Sequence, residues 1–86
     1  MVTSPHVVRM YSRSFCHLCD DARAVVMDAA ARAVFEFQEV LIDGDDELEG
    51  RYGLRVPVVL VDGVEAFEYT VDQARLRRLV AAPTGR

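Results

Sequence analysis

The sequence lacks the features that mark membrane, secreted and nucleic-acid-binding proteins. No stretch approaches the ~18 consecutive apolar residues that a membrane-spanning helix needs, and residues 1–6 contain neither the basic nor the apolar segment of a secretion signal. The net charge is −4, so no excess of positive charge is present to attract nucleic acid or an anionic membrane. We therefore expect a cytoplasmic protein that binds neither nucleic acid nor membrane.

Cysteine is also scarce, because Cys16 and Cys19 are the only two in the chain. A single pair cannot build a disulfide-rich secreted fold, and it supplies only half of the ligands of a closed zinc site. His6 and His17 are not arranged as the missing ligand pair, so we assign no metal ligand within this chain. Since cytoplasmic thiols are kept reduced, the pair is expected to be catalytic, with metal binding as the alternative.

Length and composition indicate a single soluble domain. The chain has 86 residues, of which 51% are apolar and 28% charged, and it contains no internal repeat, low-complexity segment or linker. We therefore predict one domain over residues 1–86, with residues 82–86 as a frayed tail, and we expect a monomer.

The spacing of apolar residues predicts seven secondary-structure elements. Short apolar and β-branched runs indicate strands, whereas Leu18, Ala22, Val25 and Ala29 recur at the spacing of one helical face. In chain order, the prediction is a strand at residues 7–11, a helix at 17–32, a strand at 37–42, a short helix from 46, a strand at 56–61, a strand at 64–69 and a helix at 70–81.

Local motifs predict two helix starts and one tight turn. Asp46 with Glu49, and Thr70 with Gln73, have the spacing of capping boxes that would open the second and third helices. Residues 62–63, Asp-Gly, are typical of a β-hairpin. A strand-helix-strand unit pairs its strands in parallel, and a hairpin adds antiparallel strands. The predicted fold is therefore an α/β domain with a four-stranded mixed sheet flanked by helices.

The cysteine pair lies at the predicted junction of the first strand and the first helix. Cys16 falls at or beside the helix N-cap, where unsatisfied backbone N–H groups and the positive end of the helix dipole favour a thiolate. Such positions lower a cysteine pKa from ~8.5 to between ~3.5 and ~7.5, and the thiolate is the attacking species. We therefore assign Cys16 as the nucleophile and Cys19, one turn into the helix, as the resolving cysteine.

Charged neighbours are expected to act on this thiolate in opposite directions. Arg13 and a protonated His17 would stabilise it, whereas Asp20 and Asp21 would oppose it. For His17 two interpretations stay open: an exposed loop histidine, and a residue that tunes the pKa of Cys16.

Three segments of the sequence carry a family resemblance. They are Tyr-Ser-Arg-Ser-Phe-Cys-His-Leu-Cys at residues 11–19, Tyr-Gly-Leu-Arg-Val-Pro at 52–57, and the strand and hairpin at 58–63. Together they resemble the glutaredoxin branch of the thioredoxin superfamily, in particular its small bacterial glutaredoxin-like members. The resemblance implies a thioredoxin-like fold in which Pro57 is cis and faces the cysteines, while Val56 offers its backbone to a substrate. By the same resemblance Arg13, where the family usually has lysine, is a substrate-binding residue.

One departure from that family concerns glutathione. Glutaredoxins usually carry Gly-Gly and an acidic residue where the glutathione carboxylate is held at a helix start, whereas residues 67–72 here read Phe-Glu-Tyr-Thr-Val-Asp. Glycine permits close approach of a ligand to the backbone, and Glu68 adds a negative charge where a carboxylate would bind. Thr70 can still present helix-start N–H groups to a substrate. Glutathione is therefore expected only as a weakly bound co-substrate, and no cofactor is expected.

The combined expectation is an enzyme that reduces protein or mixed disulfides through Cys16 and Cys19. Its partner would be a disulfide-containing protein or a small thiol. Two alternatives stay open: a redox-sensing or binding module that keeps the fold but has little turnover, and a carrier of a metal or iron-sulfur cluster.

Overall fold

A computed structural model describes residues 5–81 as a β-α-β-α-β-β-α chain. The elements are β1 (His6–Ser12), α1 (His17–Ala30), β2 (Phe35–Leu41), α2 (Asp46–Tyr52), β3 (Val58–Val61), β4 (Val64–Glu68) and α3 (Gln73–Ala81). The predicted type and order of the elements are confirmed, while the predicted tail at residues 82–86 lies outside the described residues. Among the helices of residues 5–81, none has the length and apolar character needed to cross a membrane.

The four strands form one mixed sheet, as predicted, and their order is β2-β1-β3-β4. β1 and β2 are parallel, whereas β3 runs antiparallel to β1 with Val59 opposite Met10. β3 and β4 form the antiparallel hairpin, and its turn residues Asp62 and Gly63 have φ of 53° and 85°. Positive φ at both positions gives a turn whose twist matches that of the strands, and the Asp-Gly sequence tolerates this geometry.

Alternate strand residues bury two apolar clusters, one on each face of the sheet. Met10 and Val59 belong to the larger cluster, into which α1 and α3 pack. Val58, the preceding residue of β3, belongs instead to a smaller cluster with Ile42 and with Tyr52 of α2. Since successive residues of a strand point to opposite faces, α1 and α3 cover one face and α2 covers part of the other.

The buried stripe of α1 includes Cys19, the predicted resolving cysteine. Its buried residues are Cys19, Ala22, Val26 and Ala29, which recur every three or four positions and therefore share one face. Leu18, predicted on this face, is 42% exposed because the stripe begins one residue later. Packing of α1 on the sheet therefore also fixes where Cys19 lies.

The second helix is capped one residue earlier than predicted. Asp45 is its N-cap, and the carboxylate of Asp45 accepts a hydrogen bond from the N–H of Leu48 at 3.0 Å. The predicted cap, Asp46, is the first residue of α2. The N–H of Glu49, which the carboxylate of Asp46 would accept in a capping box, donates instead to the carbonyl of Asp45 at 2.8 Å, so the box of Asp46 with Glu49 is wrong.

The third helix begins later than predicted. Asp72 precedes α3, and its carboxylate accepts from the N–H of Arg75 at 3.2 Å. Gln73, the other member of the predicted box, donates its side-chain amide to Asp28 of α1 at 2.8 Å. The capping box of Thr70 with Gln73 is therefore wrong, since an aspartate beside the first turn caps the helix in its place.

Asp62 ties the hairpin turn to the start of β1. One of its carboxylate oxygens accepts from the N–H of Val7 at 2.9 Å, and the other lies 2.5 Å from Nδ1 of His6. These contacts, the bond from Val7 foremost, hold the pKa of Asp62 below its usual value. These contacts connect the turn between β3 and β4 to β1, an inner strand of the sheet.

We predict that Asp62→Asn lowers the free energy of unfolding near neutral pH by about 1 kcal/mol, a value reduced for the exposure of the carboxylate. Because the native pKa lies below the unfolded one, this contribution is complete above pH ~4 and is lost as the pH falls through the native pKa. Urea unfolding of both proteins across this range measures the difference. Glu36→Gln, which neutralises an exposed carboxylate on β2, is the control. A difference that persists in strong acid would contradict the assignment.

Candidate active site

Cys16 lies at the end of the loop that joins β1 to α1. It is the N-cap of α1, with extended backbone angles, and its Sγ accepts a hydrogen bond from the N–H of Cys19 at 3.1 Å. Its carbonyl accepts the first helical hydrogen bond, from the N–H of Asp20 at 3.0 Å. The predicted N-cap position of Cys16 is therefore confirmed, and its sulfur occupies the place where a helix start favours negative charge.

The two cysteines differ sharply in accessibility. Their Cα atoms are 5.2 Å apart, within the range that a disulfide spans, and the structure joins the two sulfurs as a disulfide. Cys19 is fully buried, whereas Cys16 is partly exposed. An external sulfur can therefore approach Cys16 but not Cys19.

The loop before Cys16 is held by a carboxylate from the segment that follows β2, the neighbouring parallel strand. The N–H of Ser14 donates to Asp43, with the nearer oxygen at 3.1 Å, and this backbone bond is the main cause that lowers the pKa of Asp43. Phe15 follows in the left-handed region, at φ 57°, with its side chain fully exposed. The loop thus presents an aromatic ring directly before Cys16.

Arg13 links the cysteine loop to α2. Its guanidinium donates to both carboxylate oxygens of Glu49, at 3.0 and 2.6 Å, and to the carbonyl of Gly53 at 3.1 Å. The bond with Glu49 is the main cause that raises the pKa of Arg13 above its usual value. The positive charge expected near Cys16 is therefore largely compensated by Glu49. A substrate-binding role for Arg13 stays a prediction.

Gly53 is required where α2 ends. A Cβ at position 53 would lie 2.5 Å from the backbone carbonyl oxygen of Glu49 and 3.1 Å from Nη2 of Arg13. Real Cβ atoms do not approach a backbone oxygen so closely, so α2 can end in this way only with glycine at this position.

The peptide bond between Val56 and Pro57 is cis, as the resemblance implied. Val58 pairs with Tyr11, so Pro57 lies at the end of β1 from which the cysteine loop leaves. Pro57 is fully buried, and its carbonyl accepts from the N–H of Tyr69 at 2.9 Å. Val56 is half-buried, and its backbone makes no hydrogen bond to another residue of the described chain. The main chain of Val56 is therefore open to an incoming segment.

A groove of about 200 Å³ runs between α1 and the loop from β4 to α3. It is lined by Leu18, Asp21 and Val25 on one side and by Tyr69, Thr70 and Val71 on the other. Thr70 is exposed, and its N–H donates to the carbonyl of Glu68 at 2.8 Å rather than opening α3. Thr70 therefore lines the groove. It does not lie at a helix start, however, because α3 begins only at Gln73, so the N–H groups for which Thr70 was predicted are not presented there.

The charge of Glu68 is compensated. Arg55 donates to Glu65 at 2.8 Å and to Glu68 at 3.1 Å from the same nitrogen, and its guanidinium lies over the ring of Tyr52. Glu68 therefore does not present the free negative charge that its position in the sequence suggested.

His17 is the first residue of α1 and is exposed. The side chain of His17 has no hydrogen bond or ion pair with another residue within 5–81, so its tuning role stays a prediction. In the described part of the chain, no three side chains of His, Cys, Asp or Glu are grouped as metal ligands.

Sequence analysis missed Asp43, Glu49 and Gly53, although all three hold the loops around the cysteines. The acidic stretch of residues 43–49 was interpreted only as the start of the second helix.

Comparison with known proteins places the chain in a family. A model of the glutaredoxin-like domain (DUF836) matches residues 7–81. The chain belongs to this family. An uncharacterized protein of Mycobacterium tuberculosis is 29% identical over 82 residues, which cover 90% of this chain and 84% of that protein.

Solved structures of relatives of this glutaredoxin-like chain share its architecture. The X-ray structure of protein XcR50 from X. campestris is 42% identical and has a TM-score of 0.72, covering 88% of this chain and 99% of that one. Protein Ne2328 from Nitrosomonas europaea is 27% identical with a TM-score of 0.78, covering 93% and 96%. A mutant thioredoxin from Halobacterium salinarum, 24% identical with a TM-score of 0.65 over 96% of this chain and 78% of that one, shares the fold. The predicted thioredoxin-like α/β fold is confirmed.

We predict that Gly53→Ala lowers the free energy of unfolding by roughly 1–3 kcal/mol, because the added methyl group would collide with the backbone carbonyl of Glu49 and displace the end of α2. Gly50→Ala is the matched control: it lies within the same helix, and a Cβ there meets nothing within 4 Å. We expect that control to be neutral or to stabilise by up to about 1 kcal/mol. Chemical unfolding of the three proteins measures both effects, and equal stability of the two variants would refute the close contact.

Proposed function

We propose that the chain is a thiol-disulfide oxidoreductase that reduces protein or mixed disulfides. The observation that carries the proposal is the asymmetry of the cysteine pair. Cys16 caps α1 and is partly exposed, whereas Cys19 is buried one turn later. A substrate sulfur can therefore contact Cys16 but not Cys19. Cys19 can react only with the sulfur of Cys16. Dithiol exchange requires this division between an attacking and a resolving group.

In the first step, the thiolate of Cys16 attacks one sulfur of a substrate disulfide. A bond forms between these two sulfurs, the S–S bond of the substrate breaks, and its other sulfur leaves as a thiolate that takes up a proton. The N–H of Cys19 points at the sulfur of Cys16, and the positive end of the α1 dipole favours negative charge there. The helix start thus supports the attacking form of Cys16.

In the second step, Cys19 gives its proton to solvent and its thiolate attacks the sulfur of Cys16 in the mixed disulfide. The new bond joins Cys16 to Cys19, and the remaining substrate sulfur leaves as a thiolate. The Cα separation of 5.2 Å already suits a disulfide, so the ring closes without displacement of α1. The dithiol is oxidised and the substrate disulfide is reduced to two thiols.

The main chain of Val56 would hold the substrate during both steps. Its unpaired backbone lies next to Pro57, at the end of the sheet where the cysteine loop begins. An extended substrate segment can pair with it as an added strand, which supplies affinity through main-chain hydrogen bonds. Arg13 and Thr70 remain candidates for side-chain contacts with the substrate.

A further reaction must return the Cys16–Cys19 disulfide to the dithiol. Its electrons come from an external thiol or from a reductase. In the cytoplasm, where we place the protein, the glutathione and thioredoxin systems supply them. Residues 67–72 lack the paired glycines of glutaredoxins, which favours a dithiol reductase over glutathione.

We predict that Cys16→Ser abolishes reduction of a disulfide-linked peptide, because the remaining thiol is buried. Cys19→Ser should instead accumulate a covalent adduct on Cys16, because the resolving thiolate is missing. Intact mass spectrometry after mixing the reduced proteins with the peptide measures both outcomes. The wild type should release both peptide thiols and end as the internal disulfide.

An adduct that forms on Cys19 in the Cys16→Ser variant would reverse the assigned roles. A wild-type protein that oxidises once but does not turn over with excess dithiothreitol would contradict the enzyme and favour the redox-sensing module. The same conclusion would follow if the protein with dithiothreitol reduced the peptide no faster than dithiothreitol alone.

A further inference from the structure

Four exposed apolar side chains lie on segments at the end of the sheet from which the cysteine loop leaves. Phe15 and Leu18 flank Cys16 in the sequence and are 107% and 42% exposed, while Leu54 and Tyr69 are 93% and 45% exposed. The last two are joined, because the hydroxyl of Tyr69 donates to the carbonyl of Leu54 at 3.1 Å. We call these four residues the apolar rim. They come from the three segments that meet at the site: the cysteine loop, the segment before Pro57, and the start of the loop after β4.

The backbone of the apolar rim is strained at its aromatic positions. Three non-glycine residues among 5–81 have positive φ, and two of them are Phe15 at 57° and Tyr69 at 69°. A side chain in this region costs free energy that glycine would not. The ring of Phe15 gains nothing from burial in return, since it is fully exposed. Neither burial nor backbone preference therefore accounts for an aromatic residue at position 15.

The groove beside the rim carries one uncompensated charge, and this charge is negative. Asp21 lines the groove, and within the described residues its carboxylate has no ion-pair or hydrogen-bond partner. The two nearby arginines are already committed, Arg13 to Glu49 and Arg55 to Glu65 and Glu68. None of the described residues that line the groove carries a positive charge to meet a substrate carboxylate.

We propose that the groove selects disulfide-bearing polypeptides that carry an apolar residue and a lysine or arginine beside the reacting cysteine. The rim would receive the apolar side chain, and Asp21 would attract the cation. Glutathione disulfide, with several carboxylates and no apolar side chain, fits neither feature. This inference rests on the proposed exchange reaction, and the covalent steps are those already described.

A set of small disulfide substrates can measure separately how charge and how apolar contact affect the reaction rate. We would use the symmetric disulfides of the peptides Leu-Cys-Lys, Leu-Cys-Glu and Gly-Cys-Lys, together with glutathione disulfide. The second-order rate of the reduced protein with each substrate is divided by the rate of dithiothreitol with the same substrate, so that intrinsic reactivity cancels.

We expect the Lys-containing leucine peptide to react roughly tenfold faster than the Glu-containing one, since attraction and repulsion at Asp21 add. Raising the salt concentration to about 0.5 M should shrink this ratio, because exposed charges are then screened over a few ångströms. Asp21→Asn should reduce the ratio to roughly twofold. The matched control is Asp20→Asn, because Asp20 is bonded to Arg23 at 2.9 Å and does not line the groove; it should keep the full ratio.

Phe15→Gly tests the apolar rim. Glycine relieves the positive φ, so the melting temperature should rise, while the preference for the leucine peptide over the glycine peptide should fall several-fold. A residue with a purely structural role would not lower this preference while raising stability. Val34→Ser removes another exposed apolar side chain, far from the site before β2, and should change neither ratio.

The selectivity is refuted if the glutamate peptide or glutathione disulfide reacts as fast as the lysine peptide, or if Asp21→Asn and Asp20→Asn behave alike. In that event every substrate is still reduced, so the proposed reaction stands. Failure of all four substrates to react faster than with free dithiothreitol would overturn the reaction and the selectivity together.

Discussion

One hydrogen bond, from the N–H of Cys19 to the sulfur of Cys16, connects the fold of this protein to its chemistry. The bond exists because Cys16 caps α1, and the same first turn carries Cys19 into the core. The first turn of α1 therefore determines three things at once: where the helix begins, which hydrogen bond the sulfur of Cys16 receives, and how deeply Cys19 is buried. Pairing of Val58 with Tyr11 then brings the cis-proline segment to the same end of the sheet.

The parts of the fold that local sequence determines could be predicted. α1 was predicted from its apolar repeat, the hairpin from Asp62 and Gly63, and the cap from the position of Cys16 between a strand and a helix. The mixed sheet followed from the order of these elements. The cis form of Pro57 was different, because only the family resemblance implied it.

The contacts that hold the site could not be predicted, because they join residues distant in sequence. Nothing local to Arg13 indicates that Glu49 is its partner, and nothing local to Glu68 indicates that Arg55 compensates its charge. The helix starts failed for another reason. Several side chains near each helix start can accept a hydrogen bond from the first turn. In α3 the acceptor is Asp72 rather than Thr70, and the spacing of residues in the sequence does not distinguish the two.

The core and the site are held by different kinds of force. Apolar packing against α1 and α3 holds the sheet, whereas carboxylate contacts hold the loops around Cys16, through Glu49 on Arg13 and Asp43 on Ser14. The loops and the framework therefore depend on separate sets of contacts. The framework itself tolerates extensive change in sequence, because protein Ne2328 has the same architecture at only 27% identity.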